Sequence, residues 1–156
     1  MAEISRELAD IINDKESLKV IATTDAQGNP HVVFKGTLHT EGQDLVFYDL
    51  LQSSQVNKNL VSSIWFGRKV AINILAKDKR SFLITAKPRR SVTAGRVFEE
   101  VYASLKDRNP DGDLNAIWYL EPEHIEEKTF AVRRAEEEAA FPILKHLDRL
   151  VKEERS

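Results

Sequence analysis

The chain has 156 residues, of which 42% are hydrophobic and 31% are charged, and its formal net charge is −2. This length is typical of one compact domain with room for a terminal extension, and it allows a substantial buried core. The near-neutral charge disfavours a dedicated nucleic-acid binder, and the ordinary apolar content disfavours disorder. The absence of cysteine excludes disulfide bonds, thiol catalysis and cysteine-ligated metal sites.

The sequence shows neither a targeting signal nor a membrane span. Its first residues lack the basic start and apolar run of a secretory signal, and no stretch reaches the ~20 apolar residues of a spanning helix. We therefore expect a soluble, cytoplasmic protein that binds neither a membrane nor nucleic acid.

The first half of the chain predicts one helix followed by an antiparallel meander. Apolar residues between Ala2 and Ile12 recur every three or four positions, which is typical of a one-faced amphipathic helix. Three β-branched runs follow, and the short turns between them contain Gly28 and Gly42, which indicates hairpins and not βαβ units. The predicted strands are Leu18 to Thr24, Pro30 to Thr40 and Asp44 to Tyr48.

The second half combines predicted helices with long strands. Leu50 to Ser63 changes to a more polar character, with Ser53 as the predicted N-cap of a helix in which Val56, Leu60 and Val61 keep helical spacing. The sequence Asn-Pro-Asp-Gly at 109–112 is a strong turn signal, and a helix over Val97 to Leu105 precedes it. The remaining predicted strands are Ile64 to Leu75, Ser81 to Ala94, Leu114 to Leu120 and His124 to Phe130.

Six or seven antiparallel strands with helices between hairpins and at both ends predict a mainly β fold. Closing such a sheet into a barrel removes most of its exposed edges. We expect a barrel domain over residues 1–130, which includes the N-terminal helix. Residues 131–156 are expected to form a helical extension packed on the barrel or on a dimer, with an apolar face made of Ile143, Leu144, Leu147, Leu150 and Val151.

Sequence motifs of nucleotide-, phosphate- or zinc-binding enzymes do not occur. The four histidines lie far apart, so no metal site is predicted. The carboxylates are scattered, and their spacing nominates no acid–base pair. Catalytic residues therefore stay unassigned.

Two features have both a functional and a structural interpretation. Lys77 to Arg96 holds seven basic side chains and one acidic one, and it forms either a rim for an anionic ligand or a solvated strand face. The solvated face is favoured, because lysine and arginine protect exposed strands from aggregation. Trp65, Phe66, Trp118 and Tyr119 fall on predicted strands, where core packing is favoured over contact with a ligand.

The order of these elements resembles the FMN-binding split-barrel family related to pyridoxamine 5′-phosphate oxidase. The resemblance covers about Leu18 to Phe130. It rests on Gly-Asn-Pro-His-Val-Val at 28–33, on Leu-Val-Phe-Tyr at 45–48, and on Ser-x-x-x-x-Lys-Asn-Leu at 53–60. It implies a six- or seven-stranded antiparallel split β-barrel, a non-covalently bound FMN, and a homodimer with the flavin in a cleft between two subunits.

The resemblance also assigns roles to residues. The second predicted strand would lie along the isoalloxazine ring, and the end of the third would face the ribityl chain. The start of the following helix would hold the phosphate through hydroxyl and amide donors, with Lys35, Lys58 or a residue of the neighbouring subunit as the cation. Trp118 would cover a flavin of the partner subunit. The implied cofactor-binding residues are His31, Val32, Val33, Phe34, Lys35, Tyr48, Asp49, Ser53, Ser54, Gln55, Lys58 and Trp118.

The sequence departs from the oxidases of this family at three places. Ser54 and Gln55 stand where those oxidases have an Arg-Lys pair; an arginine early in the second strand is missing, and so is a C-terminal segment rich in Trp and Arg. Pyridoxamine 5′-phosphate oxidase activity is therefore not expected. The leading hypothesis is an FMN-dependent oxidoreductase that acts on an unidentified small molecule or electron donor. The alternatives are a non-catalytic flavin- or ligand-binding module, a split barrel that has lost its flavin, and one that binds haem or a deazaflavin.

Overall fold

The computed structural model describes residues 1–51 and 54–142, in which four helices flank one antiparallel sheet. The helices are α1 (Arg6–Asn13), α2 (Gln55–Phe66), α3 (Arg96–Arg108) and α4 (Phe130–Ala140). The strands are β1 (Leu18–Thr24), β2 (Pro30–Phe34), β3 (His39–Glu41), β4 (Asp44–Asp49), β5 (Val70–Leu75), β6 (Ser81–Val92) and β7 (Ala116–Glu127).

The order of the strands in the sheet is β2-β1-β5-β6-β7-β4-β3. The two edge strands, β2 and β3, are consecutive in the chain, and only the residues Lys35 to Leu38 separate them. We call these four residues the link. Because a link this short spans little distance even when extended, the sheet must curl until its edges approach each other. The result is a β-barrel split between β2 and β3, as the sequence predicts.

The main core fills the inside of the curled sheet. Helix α1 covers one end with Leu8, Ile11 and Ile12, and its N-cap is Ser5, whose hydroxyl accepts a hydrogen bond from the backbone N–H of Leu8 at 3.1 Å. The fully buried side chains of the strands include Ile21, Phe47, Ile72, Ile84, Trp118 and Leu120.

A second, smaller cluster lies on the opposite face of the sheet, beneath α3. Val46, Ile117 and Tyr119 pack there against Phe98 and other apolar residues of the helix. The residues 116–120 of β7 are all buried, because both faces of the sheet are covered at this strand.

Two strand predictions are corrected by local irregularities. The single strand expected over Pro30 to Thr40 is β2 and β3, divided by the link. The two strands expected at the end of the barrel are one long strand, β7. A bulge pairs Thr85 with His124 and Ala86 with Pro122, so that Glu123 is an extra residue. This insertion breaks the alternation of side chains, and it also accommodates the proline.

The strand expected over Ile64 to Leu75 is wrong in its first half. Helix α2 continues to Phe66 and ends at Gly67, whose φ of 63° lies in the left-handed region that glycine adopts readily. Trp65 is 81% exposed at the end of this helix, and Phe66 is also exposed. A continuous apolar run does not distinguish a helix from a strand by its periodicity, and this run contains both.

Helix α4 occupies the first part of the predicted C-terminal extension, and none of its own residues is fully buried. The apolar face expected over Ile143 to Val151 lies outside the described residues, so the packing of the extension stays a prediction. Within residues 1–51 and 54–142, helices long and apolar enough to cross a membrane are absent.

A buried lysine holds the link in place. The ammonium group of Lys19 donates hydrogen bonds to the carbonyl of Ile12, at the end of α1, at 3.0 Å, and to the carbonyl of Leu38, at the end of the link, at 2.8 Å. The backbone carbonyl of Lys19 accepts a hydrogen bond from the N–H of Lys35 at 2.8 Å. Burial lowers the pKa of this ammonium group, because desolvation disfavours its charged form. Lys19 thus joins α1, β1 and both ends of the link.

Replacing Lys19 tests this role. Lys19→Met keeps the length of the side chain but leaves two buried carbonyl groups without their donor, so we expect the free energy of unfolding to fall by about 2–3 kcal/mol. Urea denaturation measures the change. Lys15→Met removes an exposed lysine four positions earlier and should change stability by less than about 0.5 kcal/mol. Equal effects of the two substitutions would contradict the role given to Lys19.

Candidate functional site

A groove of about 560 Å³ lies at the split of the barrel, between the link, the end of β4 and the start of α2. This volume is within the range of roughly 300–1,000 Å³ that is typical of small-molecule sites. The groove brings together eight of the residues predicted for cofactor binding, namely His31, Val33, Phe34, Lys35, Tyr48, Asp49, Ser54 and Gln55.

Three predicted residues do not line this groove. Val32 is 63% exposed on β2 and is absent from the groove lining. Lys58 is exposed on α2 outside the groove. Trp118 is 0% exposed and its indole N–H donates to the side-chain oxygen of Asn57 at 3.0 Å. The expectation that Trp118 covers a cofactor does not hold, because this side chain offers no surface to a ligand.

The structure also adds residues that the sequence did not nominate. Gly36 and Thr37 line the groove from the link, and Leu50 and Leu51 follow the end of β4. The link lies inside the single strand predicted over Pro30 to Thr40, and it lines the groove only because the sheet closes. Leu50 and Leu51 precede the predicted N-cap, and the sequence assigns them no role, although they directly follow Tyr48 and Asp49.

The start of α2 differs from the prediction by one residue. Ser54, not Ser53, is the N-cap, and its hydroxyl oxygen accepts a hydrogen bond from the N–H of Asn57 at 3.3 Å. Ser53 itself lies outside the described residues. Since the oxygen of Ser54 acts as the acceptor, its O–H proton is available to a ligand. The N–H groups of Gln55 and Val56 occupy first-turn positions, where a helix supplies no acceptor.

Buried polar contacts orient this end of α2. The side-chain amide of Gln55 donates to the side-chain oxygen of Asn59 at 2.8 Å, and the amide of Asn59 donates to the hydroxyl of Thr23 at 2.9 Å. Asn59 and Thr23 are buried. Since Asn57 is also held by Trp118, α2 is fixed against both β1 and β7, and the position of Gln55 in the groove is fixed with it.

The groove contains one pair of opposite charges. The ammonium nitrogen of Lys35 lies 3.5 Å from Oδ1 of Asp49, and it also lies over the ring of Phe47, 5.3 Å from its centre. Asp49 is 1% exposed. Lys35 is the one lysine or arginine among the described residues that line the groove. Its charge is therefore balanced by a carboxylate within the same site.

Two buried polar atoms of the groove have no hydrogen-bond partner among the described residues. They are Nδ1 of His31 and Oδ2 of Asp49. Buried polar atoms are paired in the great majority of cases, and an unpaired one costs free energy. Both residues line the groove, so these two atoms are the candidates there for hydrogen bonds to a bound molecule.

Tyr48 connects the groove to the link. Its backbone N–H donates to the hydroxyl of Thr37 at 3.0 Å, and this hydroxyl donates back to the carbonyl of Tyr48 at 3.1 Å. The ring of His39 makes an edge contact with the Tyr48 ring at 5.2 Å. Burial raises the pKa of the Tyr48 phenol, and the nearby carboxylate of Glu41 adds to this. The phenol of Tyr48, which packs against the cluster beneath α3, therefore remains neutral over the physiological pH range.

The basic stretch from Lys77 to Arg96 contributes no described residue to the groove lining. Several of its side chains are instead paired with carboxylates on the surface, which supports the interpretation as a solvated face. The pairs are Lys77 with Asp14 and Glu16, Arg80 with Glu7 and Asp78, and Arg89 with Glu121.

The lining of the groove combines apolar and polar side chains. Among the described residues, clusters of three or more histidine and carboxylate side chains that could hold a metal ion are absent. The lining combines the apolar residues Val33, Phe34 and Leu51 with polar groups of His31, Asp49 and Ser54. Apolar walls with a few convergent polar groups suit a flat, largely apolar molecule with polar edges.

Comparison with known proteins identifies the fold. Neither a family model nor a curated protein matches this sequence. Among solved structures, HupZ from Group A Streptococcus has a TM-score of 0.65 and 19% identity, covering 81% of this chain and 95% of that chain. A candidate pyridoxamine 5′-phosphate oxidase from Lactobacillus delbrueckii has a TM-score of 0.61 and 21% identity, covering 80% and 93%. An F420 reductase has a TM-score of 0.59 and 18% identity, covering 79% and 98%.

More distant structures extend the range of ligands named for this fold. An FMN-binding protein from Syntrophomonas wolfei has a TM-score of 0.59 and 12% identity. The haem storage protein HutZ from Vibrio cholerae has a TM-score of 0.55 and 16% identity. At these identities the similarity concerns the fold. The chain has the split-barrel fold of the FMN-binding proteins related to pyridoxamine 5′-phosphate oxidase, so the resemblance inferred from the sequence is confirmed at that level.

Proposed function

We propose that this protein is a cytoplasmic flavoprotein that binds FMN non-covalently in the groove at the split of the barrel. The observation that carries the proposal is the pair of unpartnered buried atoms, Nδ1 of His31 and Oδ2 of Asp49, in two residues that line the same groove. A flavin has a flat apolar ring with polar edges, and a hydroxylated chain that ends in a phosphate. Solved structures of the same fold include an FMN-binding protein, which supports this choice.

Each part of the cofactor has matching groups in the groove. The ring would lie against Val33 and Phe34, and Nδ1 of His31 would bond to a polar edge. The phosphate would be held at the start of α2 by the O–H of Ser54 and the N–H groups of Gln55 and Val56, since the N-terminus of a helix favours an anion. The residues thus fit the cofactor with hydrogen-bond donors where the oxidases of this family have an Arg-Lys pair.

We further propose that the protein is an oxidoreductase that acts on a small molecule or electron donor. Bound FMN would supply the electron or hydride transfer, and the chain would position it and exclude water. Such a reaction needs no catalytic side chain, which is consistent with the described residues of the groove, since they include no nucleophile–base pair. Turnover with NADH or NADPH separates this function from that of a non-catalytic flavin carrier.

Haem binding is the second candidate, and His31 is the reason. The imidazole of His31 lines the groove, imidazole is a common axial ligand of haem iron, and one solved structure of this fold is a haem storage protein. The absorption spectrum of the purified protein distinguishes the two cofactors, since haem gives an intense Soret band and a flavin does not.

We also propose a homodimer that covers the open side of the groove. Phe34, Leu50 and Leu51 are exposed apolar residues on the groove itself, and Phe34 is 68% exposed. Ile64, Trp65 and Phe66 are exposed at the end of α2. Exposed apolar patches of this kind commonly mark an interface.

Light scattering tests the dimer directly. We expect about twice the chain mass of 17.8 kDa at micromolar concentration. Replacing Trp65 and Phe66 together by Ser should shift the mass toward the monomer, because both side chains are exposed and their removal leaves the core intact. A monomeric mass for the unmodified protein would refute the dimer.

Replacing Ser54 tests the phosphate site. Ser54→Ala should weaken FMN binding at least tenfold, since a hydrogen bond to a charged group contributes about 1.5–3 kcal/mol and 1.4 kcal/mol corresponds to one decade. Riboflavin, which lacks the phosphate, should lose less than about threefold. Quenching of flavin fluorescence on titration into apo-protein measures both affinities.

Ser5→Ala is the matched control for this experiment. Ser5 caps α1 as Ser54 caps α2, so both substitutions should cost about 1 kcal/mol of stability. Only the change at Ser54 should affect FMN binding. If the unmodified chain quenches neither flavin, or binds riboflavin as tightly as FMN, the proposed phosphate site is wrong.

A further inference from the structure

The charge pair in the groove bears on which ligands this site selects. Lys35 is the natural candidate to bind an anionic ligand, because it is the one described cation of the lining. However, its ammonium nitrogen already lies 3.5 Å from Oδ1 of Asp49, and the side chain is only 15% exposed. In such a partly buried place, interactions between charges are stronger than in water. A ligand anion at Lys35 would therefore lie beside a fixed negative charge.

The second carboxylate oxygen of Asp49 favours a ligand group that donates a hydrogen bond over an anionic group. Oδ2 is buried and has no partner among the described residues. An ionised carboxylate only accepts hydrogen bonds. A phosphate that is fully ionised has no proton to give it, whereas a hydroxyl or amide N–H has one. The oxygen is thus suited to a neutral donor.

We infer that Asp49 is a specificity-determining residue. Its Oδ1 pairs with the ammonium group of Lys35, and its Oδ2 makes the adjoining part of the groove bind a neutral hydroxyl or amide donor in preference to a phosphate. The inference rests on the proposed flavin function and deepens it. It restricts the phosphate to the start of α2, where the donors are uncharged. The consequence is a site that discriminates FMN from riboflavin less than a site with a free cation would.

The substitution Asp49→Asn isolates this effect. Asparagine keeps the shape of the side chain and an oxygen for Lys35, but it removes the negative charge and turns an N–H donor toward the ligand. The ratio of the riboflavin to the FMN dissociation constant should rise about tenfold or more, because the phosphate is no longer repelled and the charge of Lys35 is no longer balanced. Riboflavin itself should bind more weakly, since its donor loses an acceptor. Fluorescence titration of both flavins gives the two constants.

Two further variants make the measurement specific. Asp44→Asn removes a carboxylate from the same strand, β4, outside the groove lining, and should leave the ratio unchanged. The double variant Lys35→Met with Asp49→Asn removes both members of the pair and leaves neither charge unbalanced. Its ratio should stay within about threefold of that of the unmodified protein. This double variant also carries the test if Asp49→Asn alone does not fold.

The possible results distinguish failure of flavin binding from failure of the role given to Asp49. If the unmodified chain binds neither flavin, the proposed function fails and the inference fails with it. If the chain binds FMN but Asp49→Asn leaves the ratio unchanged or lowers it, only the inference is overturned. A large loss of FMN selectivity in the double variant would show that Lys35 binds the phosphate directly, which also overturns it.

Discussion

The structure depends on the closure of the sheet by a link of four residues. The edge strands β2 and β3 are consecutive in the chain, so Lys35 to Leu38 must cross the split of the barrel. Polar groups brought into the interior by this crossing need partners. Lys19 supplies them at both ends, and Thr37 pairs with the backbone of Tyr48. The same contacts place the end of β2 beside the end of β4.

The candidate site is a consequence of this closure. The link provides one wall, the end of β4 provides the charged residue Asp49, and α2 begins at the mouth with its N–H groups directed outward along the helix axis. Helix α2 is itself fixed by buried polar contacts to β1 and β7. One side of the groove is therefore fixed by buried contacts, while its unpaired atoms and exposed apolar rim are available to the proposed ligand and the proposed second subunit.

Local patterns in the sequence predict most elements of this fold and the general position of the site. β1 has the predicted bounds, and the glycine-containing turns follow from residue type. Contacts between residues that are far apart in the chain cannot be predicted from these local patterns. The bulge at Glu123 and the continuation of α2 through Trp65 depend on packing that no short window records. The ion pair between Lys35 and Asp49 likewise depends on closure of the sheet.

Mapping by ¹H–¹⁵N NMR tests FMN binding at the split of the barrel most directly, because it locates the ligand without assuming an activity. Added FMN should shift the amide signals of 31–37, 48–51 and 54–56, which surround the groove. A smaller groove of about 290 Å³ is lined by residues of β1 and β5 that include Thr24 and Ala71, together with Lys69. Shifts concentrated at that second groove, or an unchanged spectrum at saturating FMN, would contradict binding at the split.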